Sequence, residues 1–262
     1  MKLRTWYAKR GPKFVLQRGK AILERQGLTP DKAVRRVEEC VGTLARYDCA
    51  PTLPTPGDIV QRYPKFIQRL QQMGVEIAVH SYHHRNLSEL ALPEAHQQLE
   101  RAIRVFEKFG IEVHGFRCPY LGYSPELIES IPDGWFKYSS NEAIYWPPAN
   151  SAATGNHFFE KLSQFYVGKN SLKTLCLPIT HSNIIEIPVC VPDDLQLRDG
   201  LSLDSEGIFD EWKQIQDEIY KRGELLTLLC HSELAALCNS PFIPLLNCRH
   251  VLRPAVLVCT LR

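Results

Sequence analysis

The sequence predicts an α/β protein built on a parallel sheet or barrel. Short apolar runs typical of strands alternate with amphipathic helical stretches along the chain, and this alternation is the pattern of βαβ units. The strand runs are apolar on both faces, as strands are when helices cover both sides of a parallel sheet. No internal repeat or low-complexity linker interrupts the 262 residues, so we predict one domain over residues 1–262.

The helical stretches carry recognisable start and stop signals. The first is predicted from about Pro30 to Tyr47, with Thr29 as its cap. The second, "TPGDIVQRYPKFIQRLQQMG", is expected to break at Pro64, because proline disrupts a helix interior. Three further helices are predicted over "LPEAHQQLERAIRVFEKFG", over "SPELIESI" with Ser124 as its cap, and over "SEGIFDEWKQIQDEIYKRG". The predicted strands are "VEIAVH", "EVHGF", "WFKYSS", "NIIEIPVCV", "ELLTLLCH" and "PAVLVCTL".

Composition excludes several classes of protein. The chain is 44% hydrophobic and 23% charged, with a net charge of +2 and mixed charge signs, so no nucleic-acid partner is expected. The sequence shows neither the apolar core of a signal peptide nor an apolar run long enough for a membrane span. Nine cysteines without a Cys-x-x-Cys pair fit free thiols in a reducing compartment. We therefore expect a cytoplasmic protein.

Polar side chains follow four of the predicted strands. In α/β folds, ligands bind beyond the carboxyl ends of the strands, so these residues are predicted to share one rim. They are His80, His83 and His84 after "VEIAV"; Arg117, Cys118, Pro119 and Tyr120 after "EVHGF"; Asp193 and Asp194 after "IIEIPVCV"; and His231 after "ELLTLLC".

Taken singly, these residues have two interpretations each. His80 and His84 are spaced to ligate one divalent ion, but they also fit a solvated turn. His83 is expected to point away from them, because neighbours on an extended segment alternate faces. His231 fits either a catalyst or a hydrogen-bonded residue at the start of a helix. The remaining residues fit equally a structural ion pair or a turn cap: Arg117, Asp193 and Asp194.

The order of the motifs resembles the NodB-homology polysaccharide deacetylases, carbohydrate esterase family 4. The family motifs His-Ser/Thr-x-x-His, Arg-x-Pro-Tyr, a carboxylate-bearing strand end and Leu-x-x-His are matched in order by "HSYHH", "RCPY", "EIPVCVPDD" and "LLCH". Upstream, "PTLPTPG" is similar to a family strand of the type "ATFFVxG". The resemblance covers about residues 22–262. It implies a distorted (β/α) barrel with about seven strands.

The resemblance also implies an activity and roles for the rim residues. The activity is hydrolysis of a non-peptide C–N bond, most simply deacetylation of an N-acetylated carbohydrate or a small amide. A divalent metal, usually zinc, would be held by His80 and His84. His231 would protonate the leaving amine and Arg117 would orient a carboxylate. The Tyr120 N–H would stabilise the oxyanion, and the substrate would be contacted by Tyr120 and Pro119.

One family motif is replaced in this chain. The family's Thr-Phe-Asp-Asp-Gly supplies a general base and a third metal ligand, and it falls on "ILERQG", residues 22–27, where Arg25 and Gln26 replace the aspartates. The adjacent Glu24 is expected to face the other side of the strand. Candidate substitute carboxylates are Asp193 and Asp194. Two hypotheses follow: a hydrolase that uses another carboxylate, and a catalytically degenerate protein that binds carbohydrate without turnover.

Overall fold

The structure is a computed structural model that describes residues 30–147, 168–181, 183–201 and 203–231, and the backbone of residues 255–260. The predicted Thr29 cap and the "ILERQG" segment lie outside the described residues. The helices are α1 Pro30–Ala45, α2 Gly57–Arg62, α3 Pro64–Gln72, α4 Leu92–Lys108, α5 Pro125–Glu129 and α6 Ser205–Arg222. Single 3-10 turns span Leu87–Glu89 and Pro119–Leu121, and a π-helical turn spans Gln196–Gly200.

Eleven short strands form one sheet within the described residues. They are β1 Thr52–Thr55, β2 Glu76–Val79, β3 Gly115–Phe116, β4 Tyr138–Ser139, β5 Ala143–Tyr145, β6 Lys169–Asn170, β7 Ile179–His181, β8 Ile184–Glu186, β9 Val189–Val191, β10 Leu226–His231 and β11 Ala255–Thr260. Their order is β6-β5-β9-β10-β11-β1-β2-β3-β4-β8-β7. The pairings are parallel, apart from the antiparallel pair of β7 and β8.

The segment from β8 to β9 closes the parallel strands into a ring. The sequence analysis predicted this segment as one strand, and that prediction was wrong: Pro188 has no N–H to donate to a ladder, and the chain changes partners there. Strand β8 pairs with β4, whereas β9 pairs with β10 and β5. Since β8 and β9 are consecutive in the chain, the ring runs β1, β2, β3, β4, β8/β9, β10, β11. It has seven strand positions, and the predicted α/β barrel is confirmed.

The helices pack on the ring through apolar faces, which form because apolar residues recur at helical spacing in the sequence. In α4 the buried residues Ala95, Leu99, Ala102 and Phe106 recur every three or four positions, so they fall on one face. Burying a leucine or phenylalanine side chain contributes roughly 1.5–3 kcal/mol relative to exposure. Gly57, at the start of α2, lies so close to α4 that a Cβ there would approach the Ala102 Cα to 3.1 Å.

Helix α6 fixes the end of β9. It begins after Asp204, whose carboxylate accepts a hydrogen bond from the Gly207 N–H (2.9 Å), as an N-cap does. Its fully buried Trp212 donates from Nε1 to the carbonyl oxygen of Pro192 (3.3 Å). Pro192 directly precedes Asp193 and Asp194 in the chain. The long amphipathic helix thus anchors the backbone that carries the two rim carboxylates.

Candidate active site

The parallel ring brings the predicted strand-end residues to one rim. Strands β9, β10, β11, β1, β2 and β3 are consecutive and parallel in the sheet, so their carboxyl ends lie at the same edge. Asp193 and Asp194 follow β9, His231 ends β10, His80 follows β2 and Arg117 follows β3. The co-location rests on strand direction and order, which the alternation of strands and helices predicted.

His80 is held through one ring nitrogen by a backbone carbonyl. Its side chain is buried, and Nδ1 lies 2.8 Å from the Arg117 carbonyl oxygen. A carbonyl oxygen accepts hydrogen bonds and cannot donate them, so Nδ1 carries a proton, and in the neutral ring Nε2 carries the lone pair. A histidine that ligates a metal commonly donates its other N–H to such an acceptor. The arrangement therefore suits His80 for ligation through Nε2.

His84 belongs to the same cluster, and His83 does not. The His84 ring is half-buried, and its centroid lies 4.9 Å from that of His80 and 4.8 Å from that of Tyr120. His83 is exposed, and its Nδ1 lies 3.1 Å from an Asp58 carboxylate oxygen. The turn separates the histidines as the alternation of side-chain faces predicted.

Two turns at this rim hold non-glycine residues in the left-handed region. Ser81 after β2 has φ 64°, while Tyr120 and Leu121 after β3 have φ 61° and 52°. Such backbone conformations are costly for residues with a Cβ, and they concentrate at functional sites. The buried Pro119 precedes Tyr120, which is 44% exposed. Within the described residues, the Tyr120 ring is therefore the part of this turn open to a ligand.

Close packing ties these two turns together. The Gly122 carbonyl oxygen accepts a hydrogen bond from the Ser88 N–H (3.1 Å). A Cβ built on Gly122 would lie 1.8 Å from Asn86 Oδ1, which already accepts from the Ser88 N–H and hydroxyl. Only glycine fits at position 122 without displacing Asn86. The turn that carries His84 and the turn that carries Tyr120 are thus held against each other.

Arg117 is buried and bonded to the end of β4. Its Nε donates to the Ser140 carbonyl oxygen (2.8 Å), and Nη2 donates to the Ser140 hydroxyl (2.6 Å). The next residue, Cys118, donates its backbone N–H to Asn141 Oδ1 (2.6 Å). These contacts fix the start of the "RCPY" turn to residues 140 and 141. The role of Arg117 in orienting a carboxylate stays a prediction.

His231 is held by a buried carboxylate. Its Nδ1 lies 2.6 Å from Asp194 Oδ1, and its backbone N–H donates to Asp194 Oδ2 (2.6 Å). Both side chains are buried. A buried carboxylate fixes the orientation of the imidazole and stabilises its protonated form, so the pair suits a proton donor.

Asp193 completes a compact group of candidate ligand atoms. One ligand atom each from Asp193, Asp194 and His231 lies within 4.8 Å of the others, close enough to hold an ion. However, both oxygens of Asp194 bond to His231, and Asp193 Oδ1 accepts from the Gln196 N–H (2.7 Å). We interpret the group as an imidazole–carboxylate pair with an adjoining turn cap. The use of either aspartate as a substitute carboxylate stays a prediction.

Sequence reasoning missed Glu186, on β8. This buried residue accepts hydrogen bonds from the Ser139 hydroxyl, the Asn141 N–H (2.5 Å) and the Glu142 N–H (2.7 Å). Burial raises the pKa of the Glu186 carboxyl, and the neighbouring Glu142 raises this pKa further, while the hydrogen bonds lower it. A lone glutamate within the apolar "NIIEIPVCV" was the available signal.

A cavity of about 250 Å³ opens between the ring strands and is mostly apolar. It is lined by Thr52, Pro54, Glu76, Ala78, Phe116, Arg117, Tyr138, Ser140 and Ile187. It shares Arg117 and Ser140 with the rim, but its lining includes none of the rim histidines or aspartates. The rim, which holds the candidate catalytic and metal-binding side chains, is therefore the better candidate for the reaction site. None of the described helices combines the length and apolar character that crossing a membrane requires.

Comparisons with known proteins agree with this fold. Residues 26–133 match the family model described as polysaccharide deacetylase. A Mycobacterium smegmatis protein assigned to the polysaccharide deacetylases is similar in structure (TM-score 0.61, 18% identity, 86% of this chain and 73% of the other). So is a Pseudomonas aeruginosa PAO1 protein assigned to the same family (TM-score 0.61, 16% identity, 85% and 68%).

A third similar structure has a different named activity. The Puue allantoinase superposes with a TM-score of 0.62 at 16% identity, over 84% of this chain and 68% of the other. No curated protein sequence matches the chain. At these identities the structures establish the shared fold, and the resemblance to the family in sequence comes from the match over residues 26–133. Together they confirm that the chain resembles the polysaccharide deacetylases and has their α/β barrel.

Proposed function

We propose that the protein is a metal-dependent hydrolase of non-peptide C–N bonds. The most specific form of the proposal is deacetylation of an N-acetylated sugar or a related small amide. The observation that carries it is the buried Asp194–His231 pair (2.6 Å) at the same rim as the His80–His84 cluster. A structural scaffold would not require a positioned acid and a ligand-type imidazole at one edge. The match to the polysaccharide deacetylase family supports the substrate class.

His80 and His84 fit the metal that the family resemblance implies. The Arg117 carbonyl oxygen sets the His80 tautomer that leaves the Nε2 lone pair for ligation, and the His84 ring lies beside it. Zinc accepts imidazole nitrogen readily and is the metal we propose. When bound, it would polarise the substrate carbonyl and lower the pKa of a bound water.

The chain's own residues supply binding and proton transfer. The exposed Tyr120 ring packs against His84 and would contact the substrate, whereas Pro119, which was predicted to contact it as well, is buried. The Tyr120 N–H would donate a hydrogen bond to the oxygen that becomes negative as the carbonyl is attacked. His231, oriented and charge-stabilised by Asp194, would donate a proton to the departing amine nitrogen.

A second candidate function is a degenerate barrel that binds carbohydrate without turnover. The observation that favours it is the presence of Arg25 and Gln26 where the family carries its two aspartates. A general base typically contributes about 10²–10⁴-fold, so its loss without a substitute would leave little turnover. Binding would then depend on the exposed aromatic ring of Tyr120 and on the polar rim.

One experiment separates the two functions. Purified protein is loaded with zinc, its metal content is measured, and acetate release from acetylated chito-oligosaccharides and small N-acetyl compounds is followed. We expect stoichiometric zinc and turnover in the wild type, both lost in His80→Ala and both kept in His83→Ala, the matched control on the same turn. A protein that releases no acetate with any added divalent ion, and is stabilised by sugar without metal, would contradict hydrolysis and support the binding function.

A further inference from the structure

We infer that Glu186 is a positioning residue for the rim: it acts through residues 139–142 to hold Arg117 and the turn that follows it. The expected loss of turnover rests on the proposed function, whereas the positioning role itself is argued from hydrogen bonds alone. The hydrogen bonds of Glu186 go to residues 139, 141 and 142, which are not among the proposed substrate and metal ligands, so the effect we infer is indirect.

The first link joins Glu186 to the end of β4. Its Oε1 accepts from the backbone N–H groups of Asn141 (2.5 Å) and Glu142 (2.7 Å), and its Oε2 accepts from the Ser139 hydroxyl. Three donors within four consecutive residues therefore converge on one buried carboxyl group. Charged acceptors make hydrogen bonds about twice as strong as neutral ones, so the carboxylate defines the path of this turn.

The second link joins that turn to Arg117. Ser140, between the residues that Glu186 binds, accepts from Arg117 Nε (2.8 Å) and Nη2 (2.6 Å). Asn141, whose N–H is bound to Glu186, accepts the Cys118 N–H through Oδ1 (2.6 Å). The backbone bound by Glu186 is thus the same backbone that receives the guanidinium and the start of the "RCPY" turn.

The third link reaches the imidazole cluster. The Arg117 carbonyl oxygen accepts from His80 Nδ1 (2.8 Å), and this bond sets the His80 tautomer. A path of hydrogen bonds and short backbone links therefore runs from Glu186 to residues 141 and 142, from residues 140 and 141 to Arg117 and Cys118, and from the Arg117 carbonyl to His80. A misplacement of about 1 Å in such a site can cost about 10²-fold in rate, which is enough to measure.

Glu186 also lies where β8 meets β4 and the ring closes, so a role in stability alone is the competing explanation. The two roles differ in their responses to conservative substitution. Glu186→Gln keeps an oxygen that can accept from the two backbone N–H groups. Its NH2 group would lie beside the Ser139 hydroxyl, whose oxygen can accept a hydrogen bond from it. Glu186→Ala removes every acceptor. Glu142→Gln is the matched control, because Glu142 is a buried neighbour whose Oε2 accepts from Lys169 Nζ (2.6 Å).

The test combines kinetics with amide hydrogen exchange on the full-length protein. We expect Glu186→Ala to lower kcat for acetate release by about 10²-fold with little change in KM, and Glu186→Gln to recover most of it. In an Arg117→Ala background, Glu186→Ala should cause little further loss of kcat, because both residues act through the same hydrogen bonds. Amides of residues 117–122 should exchange faster in Glu186→Ala, while those of α4 stay unchanged. In Glu142→Gln, residues 117–122 should exchange at the wild-type rate.

The outcomes separate this inference from the proposed function. A wild type that hydrolyses no amide refutes the proposed function, and exchange at residues 117–122 then still decides the positioning role. Unchanged exchange there in Glu186→Ala overturns the inference, as does faster exchange spread evenly over the whole sheet. If Glu186→Ala does not fold, Ser140→Ala removes the acceptor of Arg117 Nη2 and should accelerate exchange at the same residues. No acceleration in Ser140→Ala would overturn the inference as well.

Discussion

Two buried histidines at the rim, His80 and His231, have hydrogen-bond partners that differ in charge. Each lies at the carboxyl end of a parallel strand, and each has its Nδ1 in a hydrogen bond. The His80 partner is the neutral carbonyl oxygen of Arg117, whereas the His231 partner is the carboxylate of Asp194. A carboxylate stabilises the imidazolium far more strongly than a neutral carbonyl oxygen does, so His231 is better suited than His80 to carry a second ring proton.

The difference supports the separate tasks that we propose for the two histidines. A metal ligand must be neutral and present a lone pair, whereas a general acid must carry a proton to give away. Under the proposed function, the fold meets both requirements by changing only the group that accepts from Nδ1 of each ring.

Removing the ligand histidine should have the largest effect. His80→Ala deletes the imidazole whose tautomer the Arg117 carbonyl sets, so bound zinc and turnover should both fall below detection. Zinc stoichiometry by elemental analysis and acetate release by coupled assay measure the two losses. The same losses in His83→Ala, whose exposed ring faces Asp58, would contradict the assignment.

Neutralising the partner of His231 should remove turnover without removing metal. Asp194→Asn keeps the size of the side chain but withdraws the charge that stabilises the imidazolium, so kcat should fall by about 10²–10⁴-fold. Zinc content should match the wild type. Loss of zinc in this variant would show that Asp194 is a metal ligand, as the compact group of Asp193, Asp194 and His231 would then indicate.

Displacing Asn86 at the contact between the two rim turns should have an intermediate effect. Gly122→Ala places a Cβ 1.8 Å from Asn86 Oδ1, so the Asn86 side chain must move and give up its hydrogen bonds to Ser88, which hold the turn after His84. We expect a loss of about 1–3 kcal/mol in unfolding free energy and a fall of about 10²-fold in kcat. In Asn86→Ala/Gly122→Ala the clash is gone, so activity should partly return. A double variant no better than Gly122→Ala would refute the clash.

Titration of Glu186 should give the smallest effect. Its pKa is raised above the ordinary glutamate value by burial, so the folded protein holds this proton to higher pH than the unfolded chain does. The contribution to stability is therefore full below the unfolded pKa of about 4.3, and it diminishes as pH rises towards the folded pKa. Denaturant unfolding from pH 4 to 8 should show this decline in the wild type relative to Glu186→Gln. Parallel profiles would contradict it.

The fold was predictable because its signals are local. Ser124 precedes a short helix and accepts from the Leu127 N–H (3.2 Å) as predicted, and Pro64 separates α2 from α3. The first helix ends at Ala45, two residues before the predicted Tyr47. The division of "NIIEIPVCV" into β8 and β9 was missed, because the choice between β4 and β10 as partner is made by distant segments.

The sequence predicted where the candidate residues lie, but it did not predict the hydrogen bonds between them. The strand ends identified His80, His84 and His231 as candidates, since strand direction alone brings them to one rim. The sequence does not reveal that Asp194 lies behind His231, or that a carbonyl lies behind His80, because both depend on side-chain orientation across 37 residues. Glu186 was missed for the same reason: its donors lie 44 to 47 residues away.

The division between the two histidines is tested most directly by zinc stoichiometry in two variants purified side by side. His80→Ala and His231→Ala each remove one buried imidazole from the same rim, so differences in general stability are minimised. We predict that zinc is lost in His80→Ala and retained at the wild-type ratio in His231→Ala. Zinc retained in both variants, or lost in both, would contradict the separate roles of ligand and acid.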